Sequence, residues 1–180
     1  NSGTPIELYG VTYGNGLFVT VGESGTILTS PDGITWTERT SGTPKELYGV
    51  TYGNGLFVTV GYRGVSHGSS DGITWTEVKT DAAQTLQMYD VTYGNGLFVT
   101  VGKDRVIITS DNGTSWTQRK SADPGWSWFY GVHYANGLYI TVGSNGVIYG
   151  SSDGTTWTQK VSGATEELYE IAYGNNTFVV

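Results

Sequence analysis

Apolar and β-branched runs of five or six residues, each closed by a turn signal, follow one another along the chain, and no useful stretch has helical periodicity. The first run is Leu8 to Tyr13, ended by Gly14-Asn15-Gly16, where Asn-Gly supplies the positive φ values of a tight hairpin. The second is Leu17 to Val21, closed by Gly22-Glu23-Ser24-Gly25. The third, Thr26 to Ser30, meets Pro31-Asp32-Gly33, and the fourth runs from Ile34 to Glu38. The first two runs are apolar or small on both alternating sets, Val11 and Tyr13 against Leu8 and Gly10. Strands covered on both faces need that pattern.

The same four runs recur. Tyr9, Tyr48, Tyr89, Tyr130 and Tyr169 each open a version of Tyr-Gly-Val-Thr-Tyr-Gly-Asn-Gly, at steps of 39, 41, 41 and 39 residues. Self-similarity at about forty residues marks small units that bury their apolar faces only by stacking. In all four complete copies the Tyr lies 27 residues before a Trp: Trp36, Trp75, Trp116 and Trp157. Length variation falls between the Trp and the next Tyr, as expected for a rigid unit with a variable connector. Four short antiparallel strands per repeat predict an all-β fold, a β-propeller of four-stranded antiparallel blades. One domain is expected over 1–180, with repeats at about 7–45, 46–86, 87–127 and 128–166 and a partial fifth at 167–180. The natural ring is expected to have five blades, on a chain trimmed or incompletely represented here. Roughly twenty more residues would complete the last blade.

The third turn carries a second motif. It reads Ser30-Pro31-Asp32-Gly33-Ile34-Thr35-Trp36 in the first copy, with Ser69, Asp71 and Trp75 in the second and Ser151, Asp153 and Trp157 in the fourth. The third copy drifts to Ser110, Asn112 and Trp116. This resembles the Asp-box, or BNR, repeat of sialidases and of propellers like photosystem II assembly factors. In that family pattern, Ser-x-Asp-x-Gly-x-Thr-Trp, the turn is one residue longer. The resemblance implies a propeller and leaves the activity open, because the motif marks a fold. Physically, the carboxylate and hydroxyl serve backbone groups of their own turn, Gly takes the left-handed position, and Trp packs between sheets. A calcium site wants about six to eight oxygens, and each turn offers one acid. The expectation is no metal and no cofactor.

Composition narrows the function. Net charge is -7 and the nine basic residues are scattered singly, so there is no electrostatic footprint for nucleic acid or an anionic membrane. Cysteine is absent, which removes disulfides, thiolate metal sites and cysteine nucleophiles. No apolar run reaches the roughly 18 residues a membrane-spanning helix needs. A sialidase-like activity would, by the resemblance, require three arginines around a substrate carboxylate. Only Arg39, Arg63, Arg105 and Arg119 exist, and Arg39 and Arg119 fall on outer strands. The adjacent Glu166-Glu167 is not the separated acid pair of a glycosidase. His67 and His133 have no evident partner, and His133, standing where other copies have Thr12, Thr51 and Thr92, faces the channel or a blade contact. Non-enzymatic action is expected.

Divergence between copies concentrates in the second turn and in the connector, which emerge on one face of a propeller, where binding residues usually sit. The candidate ligand-binding residues there are Tyr62, Arg63, His67, Arg105, Asn145, Trp126 and Trp128. Both tryptophans lie in the connector Asp123-Pro124-Gly125-Trp126-Ser127-Trp128-Phe129, and Phe129, replacing Leu8, Leu47 and Leu168, reads as core. The expected role is a secreted or extracellular binding propeller for a glycan or protein ligand. The alternatives are a repeat scaffold that homo-oligomerises through the strand edge of the fifth blade and, third, an Asp-box glycosidase.

Overall fold

The computed structural model describes residues 5–78, 86–120 and 127–180. They form four four-stranded antiparallel sheets and one two-stranded sheet, each in sequential strand order. The first blade is β1 (Leu8–Gly14), β2 (Leu17–Gly22), β3 (Ile27–Ser30) and β4 (Thr37–Arg39). The second is β5 (Leu47–Gly53), β6 (Leu56–Gly61), β7 (Ser66–Ser69) and β8 (Thr76–Glu77). The third is β9 (Met88–Gly94), β10 (Leu97–Gly102), β11 (Ile107–Ser110) and β12 (Thr117–Lys120). The fourth is β13 (Phe129–Ala135), β14 (Leu138–Gly143), β15 (Ile148–Ser151) and β16 (Thr158–Lys160). β17 (Ala172–Gly174) and β18 (Thr177–Val179) form the last hairpin. The inner strands β1, β5, β9 and β13 pack side by side, which makes the architecture a β-propeller.

Local chemistry explains where strands begin and end. Asn15 and Gly16 both have positive φ, 48° and 77°, so the first hairpin closes in two residues whose twist matches the strands. The fourth strand is shorter than its apolar pattern predicts, starting at Thr37 and not at Ile34. The reason is that the amides of Ile34 and Thr35 donate to Asp32 Oδ1, each at 2.8 Å, and are unavailable to a ladder. The third strand begins at Ile27 because Thr26 closes a 3-10 turn over Glu23–Gly25.

Each inner strand carries a β-bulge at its tyrosine. Leu8 pairs with Gly22 and Gly10 with Val21, leaving Tyr9 as the extra residue, and the register shifts alike in β5, β9 and β13. A bulge re-aims a side chain, and here it releases the tyrosine toward the propeller axis while the residue before it stays in the blade. Leu47, Met88 and Phe129 are accordingly buried, as the apolar replacement at Phe129 anticipates.

The core lies between blades. One cluster joins Val19, Val21 and Ile27 of the first blade to Leu47, Val50, Phe57 and Trp75 of the second. A second joins Val60 to Met88, Val91 and Ile108, and a third joins Val99, Val101 and Ile107 to Phe129 and Tyr139. The outer turns add a latch: Gly72, Gly113 and Gly154 lie against Leu17, Leu56 and Leu97 of the preceding blade.

Candidate functional site

At the centre of the propeller the inner strands enclose a cavity of about 750 Å³. Its mouth is a ladder of five tyrosines, four of them turned inward by the bulges. Ring centroids are 5.5 Å apart from Tyr9 to Tyr48, 5.7 Å to Tyr89, 5.6 Å to Tyr130 and 4.9 Å to Tyr169. Below them Thr12, Thr51, Thr92 and His133 line the wall, which places His133 in the channel.

Acceptors two residues before the tyrosines tie down the phenols. Tyr9 donates to Glu7 at 3.2 Å, Tyr89 to Gln87 at 3.0 Å, and Tyr169 to Glu167. Burial, reinforced by the Glu46 charge, pushes the Tyr48 phenol up to about 12. Burial and then Glu167 do the same to Tyr130. The ladder is therefore neutral over the physiological range, and negative charge surrounds it.

Two further carboxylates line the cavity itself. Asp90 and Glu170 occupy the position after the tyrosine, where the other copies have Gly10, Gly49 and Gly131. Asp90 Oδ1 accepts the Val91 amide at 2.7 Å and Oδ2 accepts the Val132 amide of the next blade at 2.8 Å. Even so, burial pushes its carboxyl up to about 7, against the pull of those two amides and with a smaller upward contribution from the Glu170 charge. Both acids lie within the recurring tyrosine phrase and outside the variable loops. Their signal is the break of Tyr-Gly-Val-Thr-Tyr into Tyr-Asp-Val-Thr-Tyr and Tyr-Glu-Ile-Ala-Tyr.

The rim residues anticipated from the loops fall into three groups. Tyr62, Arg63, Arg105 and Asn145 sit on the turns between second and third strands, and Arg63, Arg105 and Asn145 take positive φ. The Arg63 guanidinium lies 5.4 Å over the Tyr62 ring, and the Tyr62 amide donates to Glu46 O beside the ladder. Trp128 extends the ladder, its ring 6.1 Å from Tyr130 and its backbone bridged to Lys103. Trp126 and the connector segments 80–85 and 122–126 lie outside the described residues. His67 is a correction: it is on β7, 1% exposed, and does not reach the rim. Its ladder position opposite Thr59 and Glu77 directs it into the blade, and burial holds its imidazole below the usual range.

The Ser–Asp turns are self-contained. Ser30, Ser69, Ser110 and Ser151 hydroxyls bond Asp32, Asp71, Asn112 and Asp153, and each Asp or Asn oxygen accepts the next two backbone amides but one. Trp75 and Trp157 donate to Gly72 and Gly154 in their own turns, whereas Trp36 and Trp116 are half-buried without that bond. Arg39 and Arg119 donate through Nε to Thr29 and Thr109 on the outer strands, far from the axis by topology. Among the described residues no three His, Cys, Asp or Glu side chains are grouped to hold a metal, and no helix is long and apolar enough to cross a membrane.

No protein-family description and no curated protein matches the chain. Solved structures do. YCF48 bound to D1 peptide superposes with a TM-score of 0.75 at 16% identity, over 97% of this chain and 59% of that one. YCF48 from Cyanidioschyzon merolae gives 0.74 at 18% identity, over 98% and 63%. An ancestral GH74 enzyme gives 0.68 at 16%, over 92% of this chain and 27% of that one. This chain thus spans about three fifths of the length of the two YCF48 structures. At such identities the likeness shows the fold alone: a β-propeller repeat protein, in a fold that carries binding proteins and enzymes alike.

Proposed function

We propose that this chain is a non-enzymatic binding propeller that docks a peptide segment of a partner protein across the tyrosine-lined mouth. The observation that carries the reading is a coincidence of place. The ladder, Trp128 and the divergent turns holding Tyr62, Arg63, Arg105 and Asn145 all lie on the face where the inner strands begin. A mouth of aromatic rings with polar tips supplies contact area and hydrogen bonds at low conformational cost, which suits an extended peptide. YCF48, of the same fold, has been captured with a peptide. Against catalysis, the turn carboxylates are consumed by their own backbone amides, and Asp90 is held by two more.

Peptide display followed by fluorescence anisotropy tests the reading against a glycan array run in parallel. Saturable peptide binding, weakened tenfold or more by Trp128→Ala with an unchanged melting temperature, is the expected result. Binding of glycans with no selected peptide would overturn it in favour of the lectin-like alternative.

Self-association is a second reading with its own observation. Val11 and Tyr13 are 65% and 60% exposed, although the same positions are covered in later blades, as at Val50. Sedimentation of the 180-residue chain is expected to show a concentration-dependent oligomer on this reading, and a strict monomer would end it.

A further inference from the structure

We infer that the channel beneath the tyrosine ladder is a receptor for a single cationic side chain, the guanidinium of an arginine or the ammonium of a lysine in the docked peptide, with Asp90 and Glu170 as its counter-charges. The inference rests on the peptide-binding reading and deepens it. Its basis is the wall of the cavity.

In three copies the position after the tyrosine is glycine because it is crowded. A Cβ on Gly10 would stand 2.9 Å from Tyr48 O, one on Gly49 3.0 Å from Asp90 Cα, and one on Gly131 3.0 Å from Tyr169 O. Side chains appear there only twice, and both are acids. Asp90 is oriented, not loose, since each of its oxygens accepts a backbone amide and retains a further lone pair. Neutral amides orient the acid without supplying a counter-charge. Among the described residues no Lys or Arg lines the cavity, and His133 is the one basic side chain on its wall.

The surroundings select the class of ligand. Tyrosine rings attract cations electrostatically through their negative faces, more strongly when desolvated. Five of them form the entrance, with Glu7 and Glu167 on their hydroxyls. An anion would meet the glutamates at the mouth and Glu170 on the wall, and a purely apolar side chain would leave both acids without a cation. A long side chain with an aliphatic stem and a charged head matches the order of the walls: rings at the mouth, carboxylates below. The cavity of about 750 Å³ accommodates such a head with water around it.

Two probes test this without knowledge of the natural partner. Ethylguanidinium and n-butylammonium are titrated while tyrosine ring resonances are followed. Blocked pentapeptides with central Arg, Lys, norleucine or Glu are compared by calorimetry. The expected result is saturable shifts of ladder tyrosines and at least tenfold tighter binding of the Arg or Lys peptide than of the norleucine one. Glu170→Gln, at an exposed position, should lower that preference about threefold, and Asp90→Asn with Glu170→Gln should abolish it. Circular dichroism confirms that the variants are folded, and if the double variant unfolds, Glu170→Gln alone decides. Equal affinity for norleucine and arginine peptides, or a preference untouched by Glu170→Gln, overturns the inference while leaving peptide docking standing. Failure of every peptide in both this series and the display selection overturns both.

Discussion

Asp90 shows how one substitution within a repeat changes the physics of a site. In a glycine's place it puts a carboxyl on the cavity wall, where loss of water outweighs two amide donors and its affinity for a proton rises from an ordinary 3.8 to about 7. A folded pKa above the unfolded one means that ionisation opposes folding. The contribution of Asp90 to stability is therefore greatest in acid, declines as pH rises from about 4 to about 7, and is level above that. Burial of His67 gives the opposite slope, common to native chain and variant, so in urea unfolding at pH 5 and at pH 8 the stability of Asp90→Asn relative to the native chain should rise on going up. Asp32, Asp71 and Asp153 work in the opposite sense. Amides of their own turns hold them below 3.8, Asp71 at about 2, so what they add is present above pH 4 and fades as pH falls through that range. Asn112 takes the same bonds in the third blade and does not titrate. Below pH 4, Asp71→Asn should flatten the acid limb of the same unfolding series.

At the level of strands and turns, the blades are held by small residues where elements cross. A Cβ on Gly53 would come within 2.0 Å of the Tyr93 ring, and one on Gly94 within 2.0 Å of Tyr134. Gly53→Ala should cost about 1–3 kcal/mol by overpacking, read as a lower denaturant midpoint. The leucine latch predicts a contrast between copies. Leu97 is covered by Gly154 of the next blade, whereas its counterpart Leu138 is 40% exposed. Leu97→Ala should cost about 2 kcal/mol, and Leu138→Ala clearly less, under the same denaturant titration. Strand placement was legible in the continuous apolar, β-branched run of Leu17 to Val21 and in the Asn-Gly turns, because those signals are local. The late start of β4 was not: Ile34 and Thr35 look like strand residues until Asp32 is seen to take their amides.

Over the whole molecule, charge and shape act together. A net charge of -7 and an aromatic mouth flanked by glutamates favour encounter with basic segments. Affinity for an arginine peptide should fall when salt rises from about 0.1 M to about 1 M, as the screening length shrinks from about 10 Å to about 3 Å. Calorimetry at both concentrations checks it, and binding indifferent to salt would count against an electrostatic site. The candidate site was partly legible. Tyr62, Arg63, Arg105, Asn145 and Trp128 stand out as differences between loops, and they do lie on one rim. His67 misled, because a polar residue next to a variable turn reads as exposed, while its ladder register turns it inward.

The repeat period, the four-strand unit and the turn chemistry belong to the sequence alone, since they depend on residues a few positions apart. The tyrosine ladder and the acids under it belong to the tertiary structure. Tyr9, Tyr48, Tyr89, Tyr130 and Tyr169 are about forty residues from one another along the chain. A bulge in each of the four full inner strands, and the side-by-side packing of those strands, bring the rings to about 5 Å and set Asp90 and Glu170 on the same wall. Only closure of blade upon blade turns a periodic word in the chain into a cavity with a charge.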